Sequence, residues 1–195
     1  GIKFYPCCYH LQRLIEATLQ SKRERNLTAD DIEKISVEVN AFFPTVVQHF
    51  EPRDEIEAQF SLPHSLAIAV LHEDVTPFGF TPVCINDERF RAFRPKVETV
   101  IREDWGWAPT GWTPRITYTL KNGEVIVREP AAAKGHPPEL LEFDECIPKY
   151  RGCVDDLLEE ARISRSIEML RNLRDLPDVG ELIAEVAAVG SNSPA

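Results

Sequence analysis

No two cysteines in the chain are spaced as CxxC, and no Cys/His set stands at metal-ligand spacing, which removes the zinc-finger and thioredoxin-type readings. The five cysteines are Cys7, Cys8, Cys84, Cys146 and Cys153, an odd count with one adjacent pair. Adjacent cysteines form only strained disulfides, so reduced, mostly buried thiols in a cytoplasmic protein are expected. No apolar run approaches the ~20 residues a membrane-crossing helix needs, and no signal-peptide pattern opens the chain. Positive charge is scarce: 22 Lys+Arg stand against 32 Asp+Glu, a net charge of −10. That argues against nucleic acid and anionic membrane as partners, since both require a basic face. It leaves a small acidic ligand open, because such a ligand responds to local cations. Methionine occurs once, at Met169, and the first residue is Gly1, so a processed product or an excised domain is expected.

The 195 residues suffice for one sizeable core or two small ones, and 43% apolar with 28% charged content is ordinary for a globular domain. The most informative stretch is the first, Lys3-Phe-Tyr-Pro-Cys-Cys-Tyr-His-Leu-Gln-Arg-Leu-Ile-Glu-Ala17. Pro6 holds Tyr5 extended and stops any helix from running through it. From about Tyr9 the apolar spacing is helical, with Leu11, Leu14, Ile15, Thr18 and Leu19 in one stripe. His10 then lies in the first turn, bordering the buried stripe. A lysine and a histidine at a helix entrance form a pocket for an anion; the alternative is a solvated lysine and a helix-start histidine bonded to backbone. A second helix opens at Ser61 as N-cap with Pro63 in its first turn, and Leu66-Ala-Ile-Ala-Val-Leu71 is apolar on nearly every face, hence central. His64 falls in that first turn, where the helix dipole favours a bound carboxylate and disfavours imidazolium. A neutral His64 would serve as hydrogen-bond donor or base; the alternative is a surface histidine at a helix start.

Elsewhere, the basic run 21–26 ends the first helix, Thr28-Ala-Asp-Asp31 predicts one short helical turn, and Ile35, Val37 and Val39 alternate as a half-buried strand. Residues 42–57 read as loop, Thr81-Pro82 as another helix start, and Val97 to Ile101 as a strand. Trp105-Gly-Trp-Ala-Pro-Thr-Gly-Trp112 reads as a self-packed or interface loop, or a binding lip. Arg115–Leu120 and Glu124–Arg128 flank Lys121-Asn-Gly123, the signature of a β-hairpin. Residues 131–138 read as a linker, followed by helices over 140–146, 154–173 and 179–189. Together these predict an α+β fold with a mixed or antiparallel sheet, helices packed on one face and a helical C-terminal end. It would form a single domain over 1–189 with a frayed tail at 190–195.

The spacing Pro6-x-x-Tyr9-His10-x-Gln12-x-x-Ile15-Glu16-Ala17, preceded by Lys3, resembles the start of the C-terminal domain in the MmgE/PrpD family. That family includes 2-methylcitrate dehydratase, cis-aconitate decarboxylase and iminodisuccinate epimerase, and the first of these is the most similar branch. AQFSLPHSLAIAVL (58–71), TYTLKNGEVIVRE (117–129) and AKGHPPELLEFDECIPKYRGC (133–153) resemble later parts of the domain in the same order. The resemblance implies a chorismate-mutase-like two-layer sandwich, preceded in the whole protein by a helical N-terminal domain, with the active site between them. Lys3 falls on the family's active-site lysine of this domain and His10 on its nearby histidine. His64 falls where tyrosine is common; a phenol and an imidazole differ in pKa by about three units, which leaves the proton donor open.

The reading implied is the C-terminal domain of a cofactor-independent lyase, with no metal, acting on a small di- or tricarboxylate by proton transfer beside a carboxylate. Catalytic candidates are Lys3, His10 and His64. Implied partners are the polycarboxylate substrate, the N-terminal helical domain and a second copy in a homodimer. The alternatives are an epimerase or decarboxylase of the same family, a non-catalytic binding or assembly domain that kept the scaffold, and a small-molecule-sensing regulator.

Overall fold

A computed structural model describes residues 1–187. The expected tail at 190–195, and residues 188 and 189 of the last expected helix, lie outside the described residues. The chain groups into two compact units, 1–140 and 141 onward.

In the first unit a short 3-10 turn, Tyr9–Leu11, leads into α1 (Gln12–Arg25). The helix stops at Asn26, which takes the left-handed conformation (φ 50°) that ends many helices. Lys22, Arg23 and Arg25 occupy its last turn, where cations suit the dipole. Then come β1 (Ile32–Val39), α2 (Phe43–Val46), α3 (Glu55–Gln59) and α4 (Leu62–Leu71). After these follow α5 (Pro82–Asn86), α6 (Glu88–Phe93), β2 (Val97–Ile101), β3 (Arg115–Leu120) and β4 (Val125–Arg128). The expected helical turn at 28–31 is instead a tight turn. The Asp31 carboxylate accepts from the Thr28 N–H (2.8 Å) and hydroxyl (2.6 Å), so Thr28 is spent backward and strand β1 begins at once. The region 42–57, expected as loop, carries the two short helices α2 and the start of α3, the latter capped by Asp54.

The sheet is mixed, in the order β2-β1-β3-β4, with β1 and β2 parallel and the other neighbours antiparallel. Cross-strand partners put Ile35 beside Val97 and Tyr118, Val37 beside Ile116, and Tyr118 beside Ile126. All of these are buried, so one sheet face belongs to the core. The other face carries Lys34, Ser36, Glu38, Glu98, Thr117 and Thr119 with Val125 and Val127, partly or fully exposed. Helix α1 lies on the buried face, where Thr18 Oγ1 meets the Tyr118 hydroxyl at 2.8 Å and bonds back to Leu14 O. Helix α4 packs against α1, and Leu62 to Val70 are all buried. Its start is as expected: the Ser61 hydroxyl accepts from the His64 N–H.

The second unit holds α7 (Phe143–Val154), α8 (Glu160–Arg171) and α9 (Val179–Val186). The first of these starts later and ends later than its sequence suggested. Glu142 and Glu145 form a reciprocal capping box at its start, and the helix carries Pro148 inside it. The break falls at 155–159 instead. Tyr150 and Ser166 share a hydrogen bond, and Arg151 grips Glu160, which joins α7 to α8. Arg162 donates to Ala184 O and Ala187 O, which joins α8 to α9. Among the described residues no helix is long and apolar enough to cross a membrane.

Candidate active site

The leading segment, residues 1–8, is not a loose arm. Gln12, 1% exposed, accepts from Tyr5 N–H at 2.9 Å and donates to Tyr5 O at 2.9 Å and Cys7 O at 3.3 Å. One side chain on the first turn of α1 therefore satisfies three polar backbone groups of the turn around Pro6. Tyr5, almost fully buried, donates its hydroxyl to Glu16 one turn further on. Burial first, and then that bond, raise the pKa of the Tyr5 phenol, so it stays protonated. Cys8 N–H donates to Gln59 O at 2.9 Å, which fastens the same turn to α3. These anchors fix where Lys3 and His10 emerge.

Lys3 is exposed, and its ammonium makes no hydrogen bond or ion pair among the described residues. His10 is half-buried, with the rings of Tyr9, Phe42 and Phe43 at centroid distances of 5.9, 5.6 and 6.3 Å. Neither of its ring nitrogens makes a hydrogen bond among the described residues. Burial chiefly, and the nearby Arg13 charge next, hold its pKa below 6.5, so the ring is neutral at pH 7. The Cys8 thiol lies between the two in sequence. The backbone of His10 and the charge of Lys3 both act on that thiol, each opposing the rise that burial imposes.

Two further contributors come from segments expected as a linker and as a self-packed, interface or binding-lip loop. The stretch 131–138, expected as a linker, docks on the leading segment: Ile2 N–H donates to Gly135 O at 2.9 Å. The His136 ring lies 4.5 Å from the Tyr9 ring, and its Nε2 is buried with no hydrogen-bond partner among the described residues. Lys134 Nζ stands 4.4 Å above the Phe4 ring. Gly1 approaches so closely that a Cβ there would come 2.4 Å from His136 Nδ1. The second contributor is the tryptophan loop, which is partly self-packed. Trp112 is 8% exposed and tilted against Trp105 at 6.3 Å, whereas Trp107 is 61% exposed and meets Phe42 edge-on. Arg13 reaches this loop, donating from Nη1 to Trp112 O at 3.0 Å. Spacing was the one available signal for Arg13, three residues after His10 and so on the same helical face. His136 had none, because a turn over 120 residues away carries no periodicity that points to its contact.

His64 is placed elsewhere. Its ring is fully buried, 5.4 Å from Phe90 and 6.2 Å from Phe80. Its Nε2–H donates to Gly79 O at 2.9 Å, which puts the lone pair on Nδ1, buried and without a partner among the described residues. Burial, partly offset by the Gly79 bond, lowers its pKa to about 4. It is neutral, as the helix-dipole argument expected, but through desolvation, and it shares no ring contact or hydrogen bond with Lys3 or His10.

The amino end thus offers a neutral imidazole with ring nitrogens unbonded among the described residues, on an aromatic floor, and an exposed ammonium seven residues before it in the chain. Such a set can hold a carboxylate and move a proton next to it. Compared with known protein families, residues 5–175 match the MmgE/PrpD C-terminal domain. No curated protein matches the chain significantly.

Proposed function

Because the chain belongs to the MmgE/PrpD family, generally lyases and dehydratases, as its C-terminal domain, we propose that it forms one wall of a cofactor-independent active site resembling that of 2-methylcitrate dehydratase. The substrate is a small di- or tricarboxylate, and a helical N-terminal domain of the same protein closes the site. In a dehydration, one group takes a proton from the carbon beside a carboxylate. A second protonates the departing hydroxide, so that an alkene and water leave. His10, neutral with both nitrogens free, suits the first role or an orienting hydrogen bond. Lys3 clamps the carboxylate whose charge grows as the C–H bond breaks, or gives the proton to the leaving group. His64, sealed with its one N–H committed to Gly79 O, is read as the pin that sets the start of α4.

The observation that carries this reading is the half-buried His10 imidazole, both ring nitrogens unbonded among the described residues, set against the rings of Tyr9, Phe42 and Phe43 at the end of the chain that also carries the exposed Lys3. In the full-length protein, Lys3→Ala should abolish most turnover of whichever polycarboxylate a panel identifies, with the melting temperature unchanged. Near-normal turnover would overturn the assignment of Lys3. Turnover by this domain alone would overturn the shared site. A homodimer is part of the proposal, checked by sedimentation of the full-length protein.

The reading as a binding or assembly domain has one observation in its favour. On α9, Val179, Ile183 and Val186 are 56%, 59% and 38% exposed along one helical stripe. Finding no domain rich in acidic and histidine residues upstream of Gly1 would favour it.

A further inference from the structure

Arg13 is half-buried, and among the described residues no carboxylate lies within ion-pair distance of it. Several arginines elsewhere are matched with acids: Arg53 with Glu57, Arg102 with Glu38 and Asp104, Arg115 with Glu129. Even Arg94, 3% exposed, has Glu51 at 3.7 Å. A guanidinium drawn partly out of water without a counter-ion is costly, and here burial pulls its pKa down. The side chain is nevertheless fixed. Nη1 donates to Trp112 O at 3.0 Å, and the guanidinium carbon lies 4.9 Å from the centroid of the buried Trp112 ring. Those two contacts use one of five N–H donors and set the plane of the fork. The other four have no acceptor among the described residues. Its position, one helical turn beyond His10 and close enough to depress that imidazole, puts the unmatched cation at the candidate site.

We propose that Arg13 is a specificity-determining ligand of this site, a preorganised fork that takes one carboxylate of the substrate while Lys3 takes another. This rests on the polycarboxylate reading above and deepens it: two cations at two points select an anion with at least two carboxylates over one with a single carboxylate. Trp112 acts as the positioning platform that keeps the fork planar and in place.

The test uses the full-length protein, with citrate as probe and acetate as the single-carboxylate control, followed by calorimetry. The unsubstituted protein should bind citrate far more tightly than acetate. Arg13→Gln should weaken citrate about 10- to 100-fold, the worth of a charged hydrogen-bond pair, and leave acetate nearly unchanged. Arg13→Lys keeps the charge but not the fork and should fall between. Melting temperatures are recorded for both, and Arg13→Lys is the deciding variant if Arg13→Gln fails to fold. A purely structural role would weaken citrate and acetate alike. Loss of citrate binding in Lys3→Ala, with Arg13→Gln and Arg13→Lys at full affinity, overturns the role of Arg13 and leaves the proposed function standing. No citrate binding by the unsubstituted protein overturns both. Loss in Arg13→Gln but not in Lys3→Ala supports Arg13 and counts against Lys3.

Discussion

His10 and His64 stand near the starts of two helices in one unit, both neutral at pH 7, and their surroundings give them opposite capacities. Burial lowers the pKa of each, yet His10 keeps both ring nitrogens without hydrogen bonds, on the rim formed by Tyr9, Phe42 and Phe43. His64 has spent its N–H on Gly79 O and has its lone pair enclosed in protein. A neutral imidazole is therefore not by itself a base. It must also offer a nitrogen to the outside, and here the anchoring of residues 1–8 by Gln12 decides that for His10.

The largest expected effect separates the two places outright. Lys3→Ala in the full-length protein should lower kcat/KM by about 10²- to 10⁴-fold. Because Lys3 is exposed, stability should stay within about 0.5 kcal/mol, as read by urea unfolding. Loss of stability in place of activity would break the comparison.

Next comes acid sensitivity. A histidine held at about 4 when folded, against 6.5 unfolded, favours the folded state fully above pH 6.5. That contribution is lost as pH falls from 6.5 towards 4, because the unfolded chain takes up the proton first. For a fully buried ring the loss amounts to about 3 kcal/mol. His10 contributes with the same sign, its share being lost as pH falls below 6.5. Urea unfolding from pH 7 to 4 should therefore flatten markedly in His64→Gln, which retains an N–H donor, and only slightly in His10→Gln. An equal response in the two variants would erase the distinction between rim and core.

A smaller effect sharpens how the rim is built. Gln12→Leu removes the side-chain acceptor of Tyr5 N–H and the Gln12 bonds to the Tyr5 and Cys7 carbonyls, and should cost about 1–3 kcal/mol. Amide exchange at Tyr5 should speed up, and activity should fall with Lys3 still present. Unchanged exchange at Tyr5 would show that the leading segment is held by other contacts. Smallest of all, Trp107→Ala removes a ring that is 61% exposed and should move stability by no more than about 0.5 kcal/mol.

What could be read from the residues follows the range of the interactions involved. The Asn-Gly hairpin, the Ser61 cap and the all-apolar α4 are local or periodic, and each is found where its residues place it. The turn at Thr28 was not legible as a turn, since the same Thr and Asp serve a helix cap or a backward bond with little to separate them. The boundary near Pro148 was misjudged because a proline inside a helix is ordinarily a break, and the glutamate capping box and the ties to α8 outweigh it. At the site, Lys3 and His10 were visible as residue types at a helix entrance. The sequence could not show that His64 would be sealed by Phe80 and Phe90, or that residues 134–136 would close over Phe4 and Tyr9. Such contacts depend on where distant segments meet.

The most direct check is a residue-resolved NMR titration of His10 and His64 in the full-length protein, with and without citrate. His10 should titrate below 6.5 and rise when citrate binds, while His64 should stay neutral down to about pH 4 and ignore citrate. A His64 resonance that follows citrate while His10 does not would contradict this.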